Sequence, residues 1–285
     1  MIVPKLLHKG DTVAITTASG PCSTERLRRG IKVIEAMGLN VRVMESCYAM
    51  HGGYLAGYDP LRLQDLHTAF ADPNIKGIIM ARGGYGAARL LPYLNYDMIR
   101  QNPKVFVGYS DVTALHTVFN QICGFATFHG PMVASCFNNE PHPVSLASFK
   151  QAIFEGIPTA PLSPLKTLVP GHATGILTGG NLSVIASLIG TPYEIKTRGR
   201  ILFLEDIQEE PYRVDRLLLQ LKLAGKLSDA AGIVLGDFTP ETVETLHVAI
   251  NELVVPEGIP TMYGLDCGHT SPNITLMLGQ DFTIR

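Results

Sequence analysis

Apolar residues follow two rhythms along roughly the first 130 positions. Short β-rich runs at 12–17, 39–44, 75–81 and 104–108 alternate with segments whose apolar positions repeat every three or four residues. The first such segment starts near Ser23 and places Leu27, Ile31, Ile34 and Met37 on one face before Gly38. The second opens at Pro60 and carries Leu63, Leu66 and Phe70. The run at 75–81 is apolar throughout, as strands covered on both faces tend to be. Strands separated by helices predict parallel βαβ units, and hence an open α/β sheet. Sites in such sheets gather beyond the carboxyl ends of the strands. Three turns fall there: Ala18-Ser19-Gly20-Pro21, Arg82-Gly83-Gly84-Tyr85-Gly86 and Gly108-Tyr109-Ser110-Asp111.

After Pro131 the rhythm changes. One helix is expected at about 144–155, and six prolines and glycines between 156 and 171 mark a linker at 157–172. The organisation read from this is a first domain at 1–156 and a second at 173–285. The second begins with a strand at 174–181, an apolar helix to about 189, and a strand at 200–204 that runs into Glu205-Asp206. Pro211 opens an amphipathic helix with Val214, Leu217, Leu218 and Leu221 on one face. A strand follows at 231–235, then a short turn Asp237-Phe238-Thr239-Pro240 leading into a helix to about 253.

Composition narrows the classes without choosing one. The 285 residues are 46% apolar and 17% charged, with a net charge of −2, which leaves no footprint for nucleic acid or anionic lipid. No apolar run approaches the roughly 18 residues of a membrane span, and the start of the chain lacks the apolar core of a signal peptide. The expectation is a cytoplasmic protein with no membrane or nucleic-acid partner. Five scattered cysteines without a C-x-x-C pair read as reduced packing thiols.

The chemistry centres on 104–115. A short apolar strand ends at Gly108, a serine follows two residues on, and a helical segment begins at once. Such an elbow lifts a hydroxyl above a sheet edge and aims helical N–H groups at the same place. It is an incomplete G-x-S-x-G, since Asp111-Val112 follow the serine, and on local grounds alone Ser110 reads as a helix cap before it reads as a nucleophile. The glycines at 83, 84 and 86 permit backbone N–H groups to approach an anion or oxyanion, or simply form a tight turn. No Walker A sequence or metal-ligand spacing is present. A serine nucleophile needs a base, and the base an orienting acceptor. Of nine histidines, His129 at the end of a fifth apolar run and His269 between Gly268 and Thr270 compete. Glu205 and Asp237 each end an apolar strand, where an ionised group is costly unless paired. Residue chemistry alone leaves several triads open.

Seven blocks in order resemble a known family: Asp11-Thr12-Val13-Ala14 with Ala18-Ser19-Gly20-Pro21, Arg82-Gly83-Gly84-Tyr85-Gly86, Gly108-Tyr109-Ser110-Asp111, Gly130-Pro131-Met132, Gly179-Gly180-Asn181-Leu182, Leu204-Glu205-Asp206-Ile207, and Gly268-His269 before Asn273. Together they are similar to the LD-carboxypeptidase family of serine peptidases, which includes the microcin C immunity peptidases. The resemblance implies a flavodoxin-like parallel-sheet N-terminal domain, a smaller mixed α/β C-terminal domain, and a homodimer. It assigns the nucleophile to Ser110, the glutamate to Glu205 and the base to His269, with the backbone N–H groups of Gly84 and Asp111 as the oxyanion hole. The residue after the serine then supplies only its N–H, which leaves its side chain free to be aspartate. The implied reaction releases terminal D-alanine from cytoplasmic murein tetrapeptides through an acyl-enzyme, with no metal or cofactor. Cleavage of a peptidyl- or aminoacyl-nucleotide is the alternative, and a non-catalytic anion- or peptide-binding protein another. The short turn after Asp237 and the lack of tryptophan favour the murein peptide. Arg82 and Arg213 are candidates for holding the substrate's terminal carboxylate.

Overall fold

Val13, Ala14 and Ile15, with Ile78 and Ile79, are wholly buried, so their strands have no solvent face and need helices on both sides. A computed structural model of the chain shows how this is met, and describes residues 1–138, 140–157, 161 and 163–285. In chain order the strands are β1 Thr12–Thr16, β2 Asn40–Val43, β3 Ile75–Met80, β4 Val105–Gly108, β5 Thr127–His129, β6 Lys166–Val169, β7 Ala173–Asn181, β8 Ile201–Glu205, β9 Gly232–Leu235, β10 Thr261–Tyr263, β11 Leu276–Leu278 and β12 Asp281–Ile284. The chain divides into two units, one of residues 1–159 with 275–277, the other of residues 160–274 with 278–285.

In the first unit the sheet order is β11-β5-β4-β3-β1-β2. The pairs β1–β2, β1–β3, β3–β4 and β4–β5 are all parallel. Read from the other edge this is 2-1-3-4-5, the flavodoxin-like order, whose direction reverses between β1 and β3. Ser23 caps the helix Thr24–Ala36, which buries Leu27 and Ile34 against one face of the sheet beside Val105, Val107 and Phe149. Phe106, alternating with its valine neighbours, points to the other face. There it meets Phe119 edge-on at 4.9 Å, and Phe119 meets Phe70 at 5.3 Å.

In the second unit the order is β12-β7-β8-β9-β10-β6. The centre is parallel, while β12 and β6 run antiparallel at the two edges. The helix Pro211–Leu223 buries Val214, Leu218 and Leu221 against Leu202, Leu204 and Ile233. The fold is therefore a parallel-sheet N-terminal part with a mixed C-terminal part, as the sequence implies.

Local readings differ in three places. The stretch read as a linker contains β6, which pairs with β10; its residues 158–160 and 162 lie outside the described residues. The helix expected directly after Pro240 begins only at His247 and runs through Val254. Thr242 and Thr245 exchange backbone-to-hydroxyl bonds of 2.8 and 3.2 Å just before it, and that local pairing replaces the first helical turns. The helix Asp59–Ala71 buries Arg62 and Asp65 along with Leu66, Ala69 and Phe70, so its inner face is partly charged.

Candidate active site

The carboxyl ends of β1, β3 and β4 converge on one cluster in the first unit. Tyr109 leaves β4 extended, and Ser110 then turns into the left-handed region at φ 66. A side chain other than glycine there costs on the order of 1 kcal/mol. The tight turn Ser110–Val112 and the helix Thr113–Val118 follow directly. Ser110 occupies the first position of that turn and makes no capping bond, so the plainer role as a helix cap is not the one it fills.

The serine stands over the glycine turn after β3. A Cβ built on Gly83 would lie 2.9 Å from the serine Cβ and 3.0 Å from its Oγ. Gly84, at φ 120, presses against Gly20, to which an added Cβ would approach within 3.1 Å. The Gly20 N–H donates to the Gly83 carbonyl at 3.1 Å. Three backbones and one hydroxyl thus share a space that side chains would fill.

Asp111 ties these turns together, and here the sequence reading needs correction. Its side chain is not idle but buried, accepting from the Ser19 hydroxyl at 2.6 Å and from the Ala87 N–H at 2.8 Å. Burial pushes its carboxyl up, and the Ser19 and Ala87 donors oppose that. Arg62 makes a second tie, donating from Nη1 to the Ala18 carbonyl and to the Gly86 carbonyl at 3.0 Å, while Nη2 meets Asp59. Sequence reasoning missed Arg62, although a charged residue in step with Leu66 and Phe70 on a helix face was the available signal.

His116 holds the elbow from behind. Its Nε2 donates to the Gly108 carbonyl at 2.8 Å, because a carbonyl can only accept. Its Nδ1 therefore accepts from the Thr127 hydroxyl at 2.9 Å, and that hydroxyl oxygen accepts from Asn120 at 3.1 Å. Burial holds the His116 imidazole down at about 4, so it is neutral near pH 7. His129, the competing base, is wholly buried at the end of β5, opposite Gly108 in the ladder, with its ring 5.9 Å from that of Tyr109.

The second unit carries the other pair. Glu205 is the last residue of β8, fully buried, and accepts from His269 Nδ1 at 2.8 Å. Burial raises its carboxyl and the His269 hydrogen bond opposes the shift. The pair fits closely because no side chain stands beside it. A Cβ on Gly268, at φ 123, would lie 2.7 Å from Glu205 Oε2. Asn273 fixes the loop by accepting from the Gly268 N–H at 3.2 Å. Asp206 faces a different task, accepting from Asn181, the Ser183 N–H and the Ser183 hydroxyl at 2.7–2.9 Å. Asp237, the competing carboxylate, accepts from the Thr239 hydroxyl.

The structure thus gathers Ser110, Gly84 and Asp111 in the first unit, and Glu205 with His269 in the second. Of the two candidate arginines, Arg82 donates to the Pro21 carbonyl at 2.8 Å, while Arg213 is engaged with Tyr212 at 3.1 Å and Glu209 at 3.8 Å. Among the described residues, no group of three or more His, Cys, Asp or Glu is disposed to hold a metal ion. None of the described helices is long and apolar enough to cross a membrane.

Comparison with known proteins matches the chain to one family. Residues 13–130 match the LD-carboxypeptidase N-terminal domain and residues 174–284 the LD-carboxypeptidase C-terminal domain. A probable murein peptide carboxypeptidase of Bacillus subtilis is 44% identical over 97% of this chain and 89% of its own. Among solved structures, an MccF-like protein from Bacillus anthracis superposes with a TM-score of 0.90 at 29% identity, covering 99% of this chain and 95% of its own. A muramoyltetrapeptide carboxypeptidase from Oxalobacter formigenes superposes with a TM-score of 0.82 at 31% identity, covering 95% and 94%. With both domain models matched in order and a 44% identical relative along nearly its whole length, the chain belongs to the LD-carboxypeptidase family and is a serine-type carboxypeptidase.

Proposed function

We propose that the enzyme removes the terminal D-alanine from murein tetrapeptides, with Ser110, His269 and Glu205 as its catalytic triad. The observation that carries this reading is the 2.8 Å bond between His269 Nδ1 and the buried Glu205 carboxylate. An ionised carboxylate only accepts, so Nδ1 bears the proton and Nε2 is left with the lone pair of a base. Nε2 takes the Ser110 proton as Oγ attacks the scissile carbonyl carbon. The C–N bond then breaks, the same proton passes to the leaving amine, and D-alanine departs from an acyl-serine. Water, deprotonated by His269, hydrolyses that ester and restores the serine.

The Gly84 and Asp111 N–H groups receive the developing oxyanion; losing one such donor costs about 10²–10³ in rate. The left-handed turn at Ser110 supports this role, because it directs the Asp111 N–H and the hydroxyl from one short turn. The B. subtilis relative supports the murein substrate over a peptidyl-nucleotide. In the same reading the enzyme works in the cytoplasm on recycled wall peptides, as a homodimer.

The test is D-alanine release from a murein tetrapeptide by the parent chain and by Ser110→Ala. Release by the parent, reduced by about 10⁴ or more in the variant, is expected. Equal release by both, or none by the parent while an aminoacyl-sulfamoyl adenylate is cleaved, would overturn the reading.

A further inference from the structure

The first unit holds a polar cavity of about 200 Å³ lined by Cys22, Ser23, Arg26, Arg82, Ala134 and Ser135. Its lining contains two guanidinium groups and no carboxylate. The other buried cations of this unit are each tied by two or more acceptors: Arg62 by two carbonyls and Asp59, Lys104 by the carbonyls of Ala69 and Asp72. Half-buried Arg82 has one acceptor among the described residues, the Pro21 carbonyl. Arg26, exposed on the first turn of the helix Thr24–Ala36, has no acidic partner among the described residues, since Glu25 is taken by Arg28 and Arg29. Hydrogen bonding with Cys47, and then the Arg82 charge, hold the Cys22 thiol below its usual range, so that charge is felt inside the cavity.

The cavity adjoins the serine along the chain. Arg82 precedes Gly83, over which Ser110 stands, and Met132, whose Cε comes within 3.5 Å of the same Gly83 position, is two residues from Ala134. A carboxypeptidase must recognise a carboxylate one residue beyond the carbonyl it attacks, and one residue spans about 3.5 Å. An arginine pair whose nearer member adjoins the glycine beneath the nucleophile, with no acidic residue in the cavity lining, is suited to that anion, since charge-assisted guanidinium–carboxylate bonds are strong and directional.

Resting on the proposed function, we infer that Arg82 and Arg26 form the subsite for the free C-terminal carboxylate of the peptide, and so make the enzyme an exopeptidase. Arg82 supplies the fixed donor, held by Pro21, and Arg26 the mobile one from the helix.

The experiment compares two tetrapeptides that differ only in a free acid or an amide at the C-terminus, with the parent, Arg82→Ala, Arg82→Lys and Arg26→Ala. The readout is the ratio of kcat/KM for acid over amide, which a folding defect does not change because it lowers both. Expected are a strong acid preference in the parent and a drop of about ten- to a hundredfold in that ratio for each alanine variant, carried mainly by KM. Arg82→Lys should retain an intermediate ratio. Parallel loss on both peptides, or an unchanged ratio in both alanine variants, overturns the subsite while leaving the function standing. A parent that cleaves neither peptide, releasing no D-alanine from the acid and no D-alaninamide from the amide, overturns both.

Discussion

In the first unit the proposed nucleophile is held by backbone shape. Ser110 is bent to φ 66, Gly83 and Gly84 lie beneath it, and the surrounding turns are tied by Asp111 and Arg62. In the second unit the proposed triad carboxylate is held by burial. Glu205 is wholly enclosed, its carboxyl pushed up by that enclosure and offset by one imidazole. The first solution stores strain in one residue and spends hydrogen bonds on the scaffold around it. The second stores an electrostatic cost in one carboxylate, which is relieved first by the His269 hydrogen bond and less by Asn181. Substitutions should therefore fail differently in the two units: changes in the first should cost activity more than stability, and changes in the second should cost both.

The largest separation is expected from Ser110→Gly. Turnover should fall by about 10⁴ or more, while unfolding free energy holds or rises by up to about 1 kcal/mol as the left-handed strain is released. A stability loss above about 1 kcal/mol in denaturant titration would sink the claim of strain. Gly83→Ala against Gly268→Ala is the next contrast. Each should lower kcat/KM by about 10². Gly83→Ala crowds the serine Cβ and Oγ but requires no left-handed backbone, and should cost about 1 kcal/mol. Gly268→Ala meets the Glu205 carboxylate and a φ of 123, and should cost more than about 2 kcal/mol. Equal stability losses would erase the distinction between the units.

Acid should act on the first unit through His116. Its folded value of about 4 lies below the ordinary imidazole value of 6.5, so the unfolded chain takes up the proton first as pH falls. Stability is then full above about pH 6.5 and is lost progressively toward pH 4, by roughly 3 kcal/mol for that span. Melting temperatures across pH 7 to 4 should show a shallower decline in His116→Gln, and identical slopes would remove His116 as the cause. The smallest effect concerns the tie. Both donors to Asp111 meet the same oxygen, Oδ2, so Asp111→Asn can keep them through its carbonyl and should cost under about 1 kcal/mol. Asp111→Ala leaves the Ala87 N–H and Ser19 hydroxyl unpaired in the interior and should cost about 2 kcal/mol or more. Equal losses by calorimetry would mean the charge, not the bonds, matters.

The contrast also explains what could be read from residues alone. The parallel sheet, its helices and the three turns were legible because two periodicities and a few glycines encode them locally. Ser110 was legible as an elbow for the same reason. Glu205 stood out only as a charge ending an apolar strand, and no local pattern joins it to a histidine 64 positions later. The Asp111 and Arg62 ties were not legible, since a buried polar group is defined by long-range partners. β6 was missed because its four residues follow a run of prolines, and the turn at Thr242 because side chains there outcompete the helix.

Residues 275–277 belong with the first 159, and β11 adds beyond β5 at the sheet edge. On a ribosome the edge of β5 therefore stays open until β11 has been made. A buried parallel strand, Thr127-Phe128-His129, waits through the synthesis of more than a hundred residues for its neighbour, the kind of unpaired edge that invites association between nascent chains. A gene cut after the first unit would leave that edge open permanently, so the two units cannot be separated by a single cut without carrying this short strand across.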